Sequence, residues 1–428
     1  MDTFFIYLGL GLMVILFLTG APLAVAFSLG AGIIAFWVMG LPLANFGQIF
    51  FAAIHSYPLL ACPFFILAGT LILRSGGMEP LRDFMQCMVG HWRGGLAVAT
   101  IVFAAFLGSI SGSSAACLAI LGTILVPILV QAGYDRPFAS GMAVTSAELG
   151  LLIPPSLFFI LFGAMNQISI ADLFMSGVGP GLLCAFLMCL VAVFLARRRN
   201  YPTVPKASWA ERWRATVRVF PVLLMPVIVL GGIYGGFFSP TQAAAVSVFY
   251  SIIVGVLVYR VLTWPGIMTS LVETVKISSM IYLMIIGGDL LSKILAYLEI
   301  PQMIAESVVA LNLGPLSFLL VVELLLLVMG FFFSSIPMVI IVLPLFLPSV
   351  NQLGIDPVFY GALMVLDALI GEITPPMGPQ LWIAAPICKE KMGAIIREAW
   401  PFLGAMTAAL LLTTFFPGIA LFLVNIFR

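Results

Sequence analysis

The chain has 428 residues, of which 63% are hydrophobic and 8% charged, with a mean hydropathy of +1.22; an ordinary soluble domain, with about a quarter of its residues charged, is excluded. Apolar runs of about 20 residues recur from end to end, the length that crosses a bilayer core as helix, and no alternating ten-residue pattern marks a membrane barrel. The expectation is therefore an all-α polytopic protein embedded in a lipid bilayer, with no nucleic-acid partner; the net charge of +1 by itself says nothing about partners.

The N-terminal stretch has no basic n-region and no small-residue cleavage site, which predicts a first membrane helix rather than a removed signal peptide. Asp2 to Met39 is too long for one crossing and breaks at Thr19-Gly20-Ala21-Pro22, giving two helices. A third is expected from about Gln48 to Leu73, followed by a loop holding Arg74, Arg82 and Arg93. Residues 94–131 are again apolar, but LGSISGSS (Leu107 to Ser114) interrupts them with four serines and two glycines. Polar sequence at membrane depth is expensive unless something polar meets it there. A helix with a proline-broken centre, AELGLLIPPS (Ala147 to Ser156), spans about 137–165, and another runs to about Ala196. The most basic segment follows, Arg197 to Arg218, where Trp209 and Trp213 predict an amphipathic helix lying in the interface. The six cysteines are scattered through apolar sequence and read as small core residues, without zinc spacing or a disulfide framework.

The second half repeats this order. Pro127, Gly133, Asp135, Pro154 and Pro155 recur as Pro348, Gly354, Asp356, Pro375 and Pro376, all at an offset of 221, so that AxxGxxxPP occurs twice. Pro22 with Pro240 and Gly69 with Gly288 are weaker matches at offsets of 218 and 219. Placing the loops around Arg74 to Arg93, Arg136, Arg197 to Arg218, Arg260 and Lys389 to Arg397 in the cytoplasm puts most of the 18 Lys and Arg on one side, as the positive-inside rule asks. Residues 94–131 must then enter and return from one face, as a re-entrant hairpin with its tip at Gly108 to Ser114. The second hairpin spans about 315–353 with its tip at Phe332 to Pro337, FFSSIP, and the second broken helix about 358–386. The expected organisation is a first repeat over 1–197, a cytoplasmic basic linker over 198–219, and a second, inverted repeat over 220–428. Each repeat has five crossings and one hairpin, and both termini lie outside.

Inverted repeats with broken helices near mid-membrane point to a secondary transporter's binding site. Helix ends at a hairpin tip offer N–H groups to an anion and carbonyls to a cation. Ser109, Ser111, Ser113, Ser114, Ser334 and Ser335 add hydroxyls that donate or accept. Proline lacks an N–H, so Pro154 and Pro155 should free the carbonyls of Gly150 and Leu151, and Pro375 and Pro376 those of Gly371 and Glu372, for a hard cation such as sodium. Close-packing small residues and simple kinks are the bland alternative. Glu148 and Glu372 are the acids nearest the broken centres; either could hold sodium, carry a proton, or only tie down backbone N–H groups freed there. They are not repeat equivalents. Thr374 stands where the first copy has Ile153, Asp367 and Glu323 also fall in apolar sequence, and Glu273 and Lys276 are spaced to pair. Ser109 stands where a rhomboid protease would need its first glycine, both histidines fall outside the candidate site, Gly287-Gly288-Asp289 lacks the first glycine of a presenilin-like motif, and no Walker or metal-ligand motif appears. An enzyme or ATP-driven pump is therefore not expected; a stand-alone ion-coupled carrier or an anion channel is the alternative to a binding-protein-dependent carrier.

GSISGSSAA, ELGLLIPPS and GEITPPMG together resemble the large membrane subunit of TRAP transporters, the tripartite ATP-independent periplasmic carriers of bacteria, along the whole chain. The resemblance implies an ion-transporter-superfamily elevator fold and sodium-coupled (Na+) uptake of an organic acid, a carboxylate such as a C4-dicarboxylate or sugar acid, across the inner membrane. It also implies two partners, a small four-helix membrane subunit and a periplasmic substrate-binding protein. With no extra helices ahead of the first repeat, the small subunit is expected as a separate chain. One sodium site would use Ser111, Gly112, Ser113 and Ser114 with Gly150, Ile153 and Pro154. The other would use Ser334 and Ser335 with Gly371, Glu372, Thr374, Pro375 and Gly378. Substrate would lie between the tips, near Ser109, Ser113, Pro155, Ser156, Ser335 and Pro376.

Overall fold

The computed structural model describes residues 2–203 and 205–427; the chain ends Met1 and Arg428, on which the expected placement of the termini bears, lie outside them. Among the described residues there is no strand, and nine helices are long and apolar enough to cross a membrane. Asp2–Leu18 and Leu23–Trp37 separate at the expected turn, where Gly20 takes a positive φ. The single helix expected over Gln48 to Leu73 is instead interrupted. Leu43–Ile54 stops at His55, and a single turn over Tyr57–Leu60 leads into Ala61–Arg74. Pro58, at the start of that turn, has no N–H for a helix arriving from upstream and disfavours helical backbone in the residue before it. The corresponding helix in the second half, Trp264–Tyr297, runs unbroken for 34 residues because its proline, Pro265, lies in the first turn, where no N–H is needed.

Two more sequence expectations need correction. No separate interfacial helix forms around Trp209 and Trp213: both open Trp209–Tyr234, which a Ser208–Glu211 capping box starts and which continues as a membrane-length helix. Its tryptophans stay exposed at that end. Glu273 pairs not with Lys276 but with Arg74, at 2.6 Å and across the repeats; the three-residue spacing on one helix is outweighed by a cation arriving from a neighbouring helix end. The loop between Arg74 and Arg93 also contains a helix, Met78–Val89.

The helices fall into two groups. Leu23–Trp37 packs against Asp2–Leu18 and Trp264–Tyr297, and Ala61–Arg74 against Pro240–Ile253 and Trp264–Tyr297; a separate small core of Met13, Phe27, Ile34, Leu290 and Ile294 fills part of this seam. The second group is built from the two tip regions. Gly95–Ser111 and Ser114–Gln131 form the first helical pair, Pro315–Gly330 and Ser335–Gln352 the second. The broken helices are Arg136–Ala147 with Leu149–Leu152 and Leu157–Asn166, and Pro357–Glu372 with Pro379–Cys388. The copies interlock, since Ile170–Arg198 packs on Met392–Phe415 and Gly418–Phe427, and Arg136–Ala147 also packs on Met392–Phe415. At one end Arg199 clasps the halves. It meets Glu398 at 2.7 Å and lies 5.3 Å over the Phe138 ring, while Tyr201 donates to Asp135 at 2.7 Å.

Glycines set the closest approaches. A Cβ on Gly108 would fall 2.3 Å from the Gly150 Cα, and one on Gly330 2.6 Å from the Gly371 Cα. In each copy the first arm of the tip pair therefore lies backbone to backbone against the first half of the broken helix. Between the two groups, a Cβ on Gly69 would lie 3.0 Å from the Ser111 Cα, and one on Gly288 would run into the Ile340 side chain. Gly108→Ala should consequently lower the thermal unfolding temperature of the detergent-purified protein, by an overpacking cost of about 1–3 kcal/mol. Gly231→Ala, where an added Cβ meets nothing within 4 Å, should leave it unchanged or raise it.

Candidate functional site

The first tip is built by a helix that ends and another that begins within three residues. Gly95–Ser111 terminates at Gly112, whose φ of 59 lets its N–H return to the Gly108 carbonyl at 2.8 Å. Ser113 is extended and caps Ser114–Ile120, its hydroxyl accepting from the Ala116 N–H at 3.4 Å. Ser111 Oγ lies 3.3 Å from Cys117 Sγ. A Cβ on Gly112 would fall 3.0 Å from the Pro155 carbonyl oxygen, and one on Gly150 3.4 Å from the Ser113 carbonyl oxygen. Gly112, Ser113, Gly150 and Pro155, singled out from sequence, are thus brought together, with Ser111 and Ser114 alongside. Ile153 is extended at the break and its side chain packs against Gly181, so it can offer only backbone. Ser109 donates to the Phe106 carbonyl of its own helix at 2.6 Å, so toward a ligand it can offer only acceptor lone pairs. Ser156 is fully buried and its hydroxyl has no hydrogen-bond partner.

The second tip is assembled differently. Pro315–Gly330 ends in a turn through Phe331 to Phe333, and Ser334 precedes Ser335–Gln352. The Ser335 N–H donates to the Glu372 carboxylate, so Glu372 satisfies an orphan donor at the start of a helix, where the helix dipole also favours a negative charge. Beyond Pro375 and Pro376, a Cβ on Gly378 would find the Thr374 and Glu372 carbonyl oxygens at 3.1 and 3.2 Å, so two backbone oxygens converge beside a residue with positive φ. The freed Gly371 carbonyl expected from sequence is not free, since the Thr374 N–H donates to it at 3.0 Å. A helix end tightens its last turn to recover such bonds. The Thr374 hydroxyl donates to the Ile370 carbonyl at 2.5 Å, which fixes its orientation and leaves its oxygen lone pairs as acceptors. Both breaks contain a cis peptide, Pro154-Pro155 and Pro375-Pro376.

The two acids part company. Glu372 is tied to the tip, whereas Glu148 is completely buried and neither of its carboxylate oxygens has a partner. Each lies within electrostatic reach of the other. Gln380 was missed by sequence reasoning. Its amide donates to Ser114 Oγ at 2.5 Å and so bolts the second broken helix to the first tip. The available signal was an amide in the otherwise apolar helix PQLWIAAPIC, where the first copy has Phe159. The resulting centre offers hydroxyls, backbone carbonyls and two carboxylates at two helix breaks, an all-oxygen set suited to a hard monovalent cation.

Residues 10–419 match the family described as the DctM component of the tripartite ATP-independent periplasmic transporters. The chain is 36% identical to the C4-dicarboxylate TRAP transporter large permease protein DctM of Vibrio cholerae, over 97% of this chain and 96% of that protein. It is 35% identical to the sialic acid TRAP transporter large permease protein SiaM of the same organism, over 95% and 96%. The fold is similar to that of the Alcanivorax borkumensis YdaH transporter, with a TM-score of 0.63 over 87% of each chain at 15% identity.

Glu372→Leu should leave the Ser335 N–H unpaired and destabilise the protein by about 1–3 kcal/mol, read as a fall in unfolding temperature. Glu372→Gln, whose amide oxygen still accepts, should recover most of the loss.

Proposed function

The chain belongs to the DctM family of tripartite ATP-independent periplasmic transporters, and from that membership we propose that it carries an organic acid across the bacterial inner membrane by sodium-coupled symport. The observation that carries the reading is the pairing of each tip with its own helix break. Gly112 lies over the Pro155 carbonyl in one copy, and Glu372 grips the Ser335 N–H beside the carbonyls converging on Gly378 in the other. Ser111 to Ser114 with the Gly150 to Pro154 backbone would hold one sodium ion. Ser334 and Ser335 with the Glu372 and Thr374 carbonyls would hold the second. A carboxylate substrate would lie between the tips near Pro155, Ser156 and Pro376, drawn by helix N-termini and the bound cations. Relatives named for C4-dicarboxylates and for sialic acid favour a carboxylate but not one particular acid.

In this reading the working unit includes a small membrane subunit and a periplasmic binding protein, with the basic segment Arg197 to Arg218 in the cytoplasm and the repeats inverted across the membrane. The two tip pairs and the two broken helices travel as one body past the remaining helices. Support for such an elevator motion comes from the seam between the groups, where Gly69 meets the first tip helix and Gly288 meets the second. Small residues there let the two groups approach closely without a polar bond between them at these two points, leaving apolar contact as what a sliding motion would have to exchange.

In proteoliposomes containing the permease and both partners, Ser113→Trp and Ser334→Trp should each abolish sodium-dependent uptake while elution volume stays near wild type, Ser113→Trp also losing about 0.5–2 kcal/mol with its helix cap. Unchanged uptake in both would sink the assignment. A cysteine introduced at Gly354, in the turn 354–356, should react with a membrane-impermeant maleimide added from the periplasmic side; labelling from the cytoplasmic side alone would contradict the inverted arrangement.

A further inference from the structure

Away from the two tips, the second repeat buries a group of polar side chains that sodium coordination does not use. Asp367, on Pro357–Glu372, is fully buried and neither carboxylate oxygen has a hydrogen-bond partner. Tyr360, seven residues earlier and so on the same helix face, is also buried with its hydroxyl unpartnered. Glu323 approaches from the tip arm Pro315–Gly330, within electrostatic reach of Asp367, and accepts the Thr414 hydroxyl at 2.6 Å. Thr414 in turn lines an open cavity of about 460 Å³, walled mainly by apolar side chains such as Leu319 and Phe359 and, at the turn, by Gly354 and Asp356. Glu323 therefore stands one side chain behind a cavity that reaches the turn between the second tip pair and the second broken helix.

Among the described residues, no cation on the packed helices lies beside these acids. The neighbouring helices Ser335–Gln352, Leu149–Leu152, Leu157–Asn166 and Gly418–Phe427 carry no Lys, Arg, Asp or Glu, and Pro379–Cys388 carries only Cys388. Ile170–Arg198 adds a further acid, Asp172, in its first turn and has its arginines in its last. Met392–Phe415 has Arg397 and Glu398 near its start, with Glu398 engaged by Arg199, whereas Thr414 is at its other end. Glu148 and Glu372 belong to the tips. Two unneutralised carboxylates confined together out of water are costly, and a shared proton removes most of that cost. With the register fixed by the Gly108–Gly150 and Gly330–Gly371 contacts, the first copy has Ile101 opposite Glu323, and at the offset of the proline pairs it has Ser146 and Ala139 for Asp367 and Tyr360. The group exists once.

We propose that Glu323 and Asp367, with Thr414 and Tyr360, form a proton-binding site reached through this cavity and separate from the two sodium sites. A proton from water reaching the cavity at its polar end, by Gly354 and Asp356, adds to a carboxylate oxygen of the pair and returns the same way, so no other reactant is consumed. Because the pair lies at the seam between the tip arm and the broken helix, its charge sets how readily those two helices stay together, and transport becomes pH-dependent. That last step rests on the carrier reading; the protonation does not.

Infrared difference spectra of the purified full chain in lipid, recorded between acid and alkaline pH, test the site without any substrate. The wild type should show a titrating protonated-carboxyl band that Glu323→Gln and Asp367→Asn each diminish. Thr414→Val keeps both acids but removes a hydrogen bond to one, and should change the proton affinity about tenfold. A band untouched by all three variants overturns the proposal. Should Asp367→Asn fail to fold, the other two variants decide it. In sodium-driven uptake, Glu323→Gln should flatten the pH profile and leave half-saturating sodium unchanged, and a profile identical to wild type overturns the link to transport. A wild type that shows no sodium dependence would instead refute the function proposed above and leave the infrared result standing.

Discussion

Every polar group of the backbone that leaves a helix inside hydrocarbon must find a partner within the protein, because the bilayer core supplies none. The centre of this molecule contains four such departures, two tips and two breaks, and each is answered by another. Gly112 turns its N–H back to Gly108 and lies over Pro155, Glu372 receives the Ser335 N–H, and Gln380 joins Ser114 across the repeats. The glycine contacts follow from this requirement. Only without a Cβ at Gly108, Gly150, Gly330 and Gly371 do the paired backbones come close enough for a tip to cover a break.

The same constraint is met unequally in the two copies, and that inequality is chemical. The first tip spends serine hydroxyls and a left-handed glycine, whereas the second spends a carboxylate. A tip held by hydroxyls and backbone offers neutral, rearrangeable oxygens, while one held by Glu372 places a carboxylate there, and a cation bound at either, as proposed, would meet a different field. Glu148, in the first copy, is buried without any such bond, so the centre holds one committed acid and one uncommitted. Sites built this way are not interchangeable, even though a duplicated sequence underlies them.

Much of this was legible in the chain. The AxxGxxxPP spacing located both breaks, the serine clusters located both tips, and the constant offset between proline pairs revealed the duplication, because backbone irregularities need particular residues at fixed separations. What escaped depended on partners distant in sequence. Gln380 has no periodic signature, and its role appears only when the second broken helix is laid against the first tip. Arg74 takes Glu273 from Lys276 for the same reason. A proline's missing N–H need not free the Gly371 carbonyl, because the chain tightens by one residue and recovers the bond through Thr374. Trp209 and Trp213 carried the right chemistry for an interface, but the helix they start does not stop there.

The interruption at His55 to Leu60 has a bearing on the surrounding lipid. Its unbroken counterpart, Trp264–Tyr297, has 34 residues and so extends about 50 Å, well beyond the roughly 30 Å hydrocarbon thickness of a bilayer. It must lean or protrude. The first copy, cut into Leu43–Ile54 and Tyr57–Arg74, can keep an 18-residue segment upright and lay the remainder aside. Because Ala61–Arg74 packs directly on Trp264–Tyr297, a segment matched to the bilayer and a helix longer than it stand side by side, and the lipid around that pair has to accommodate both lengths at one place.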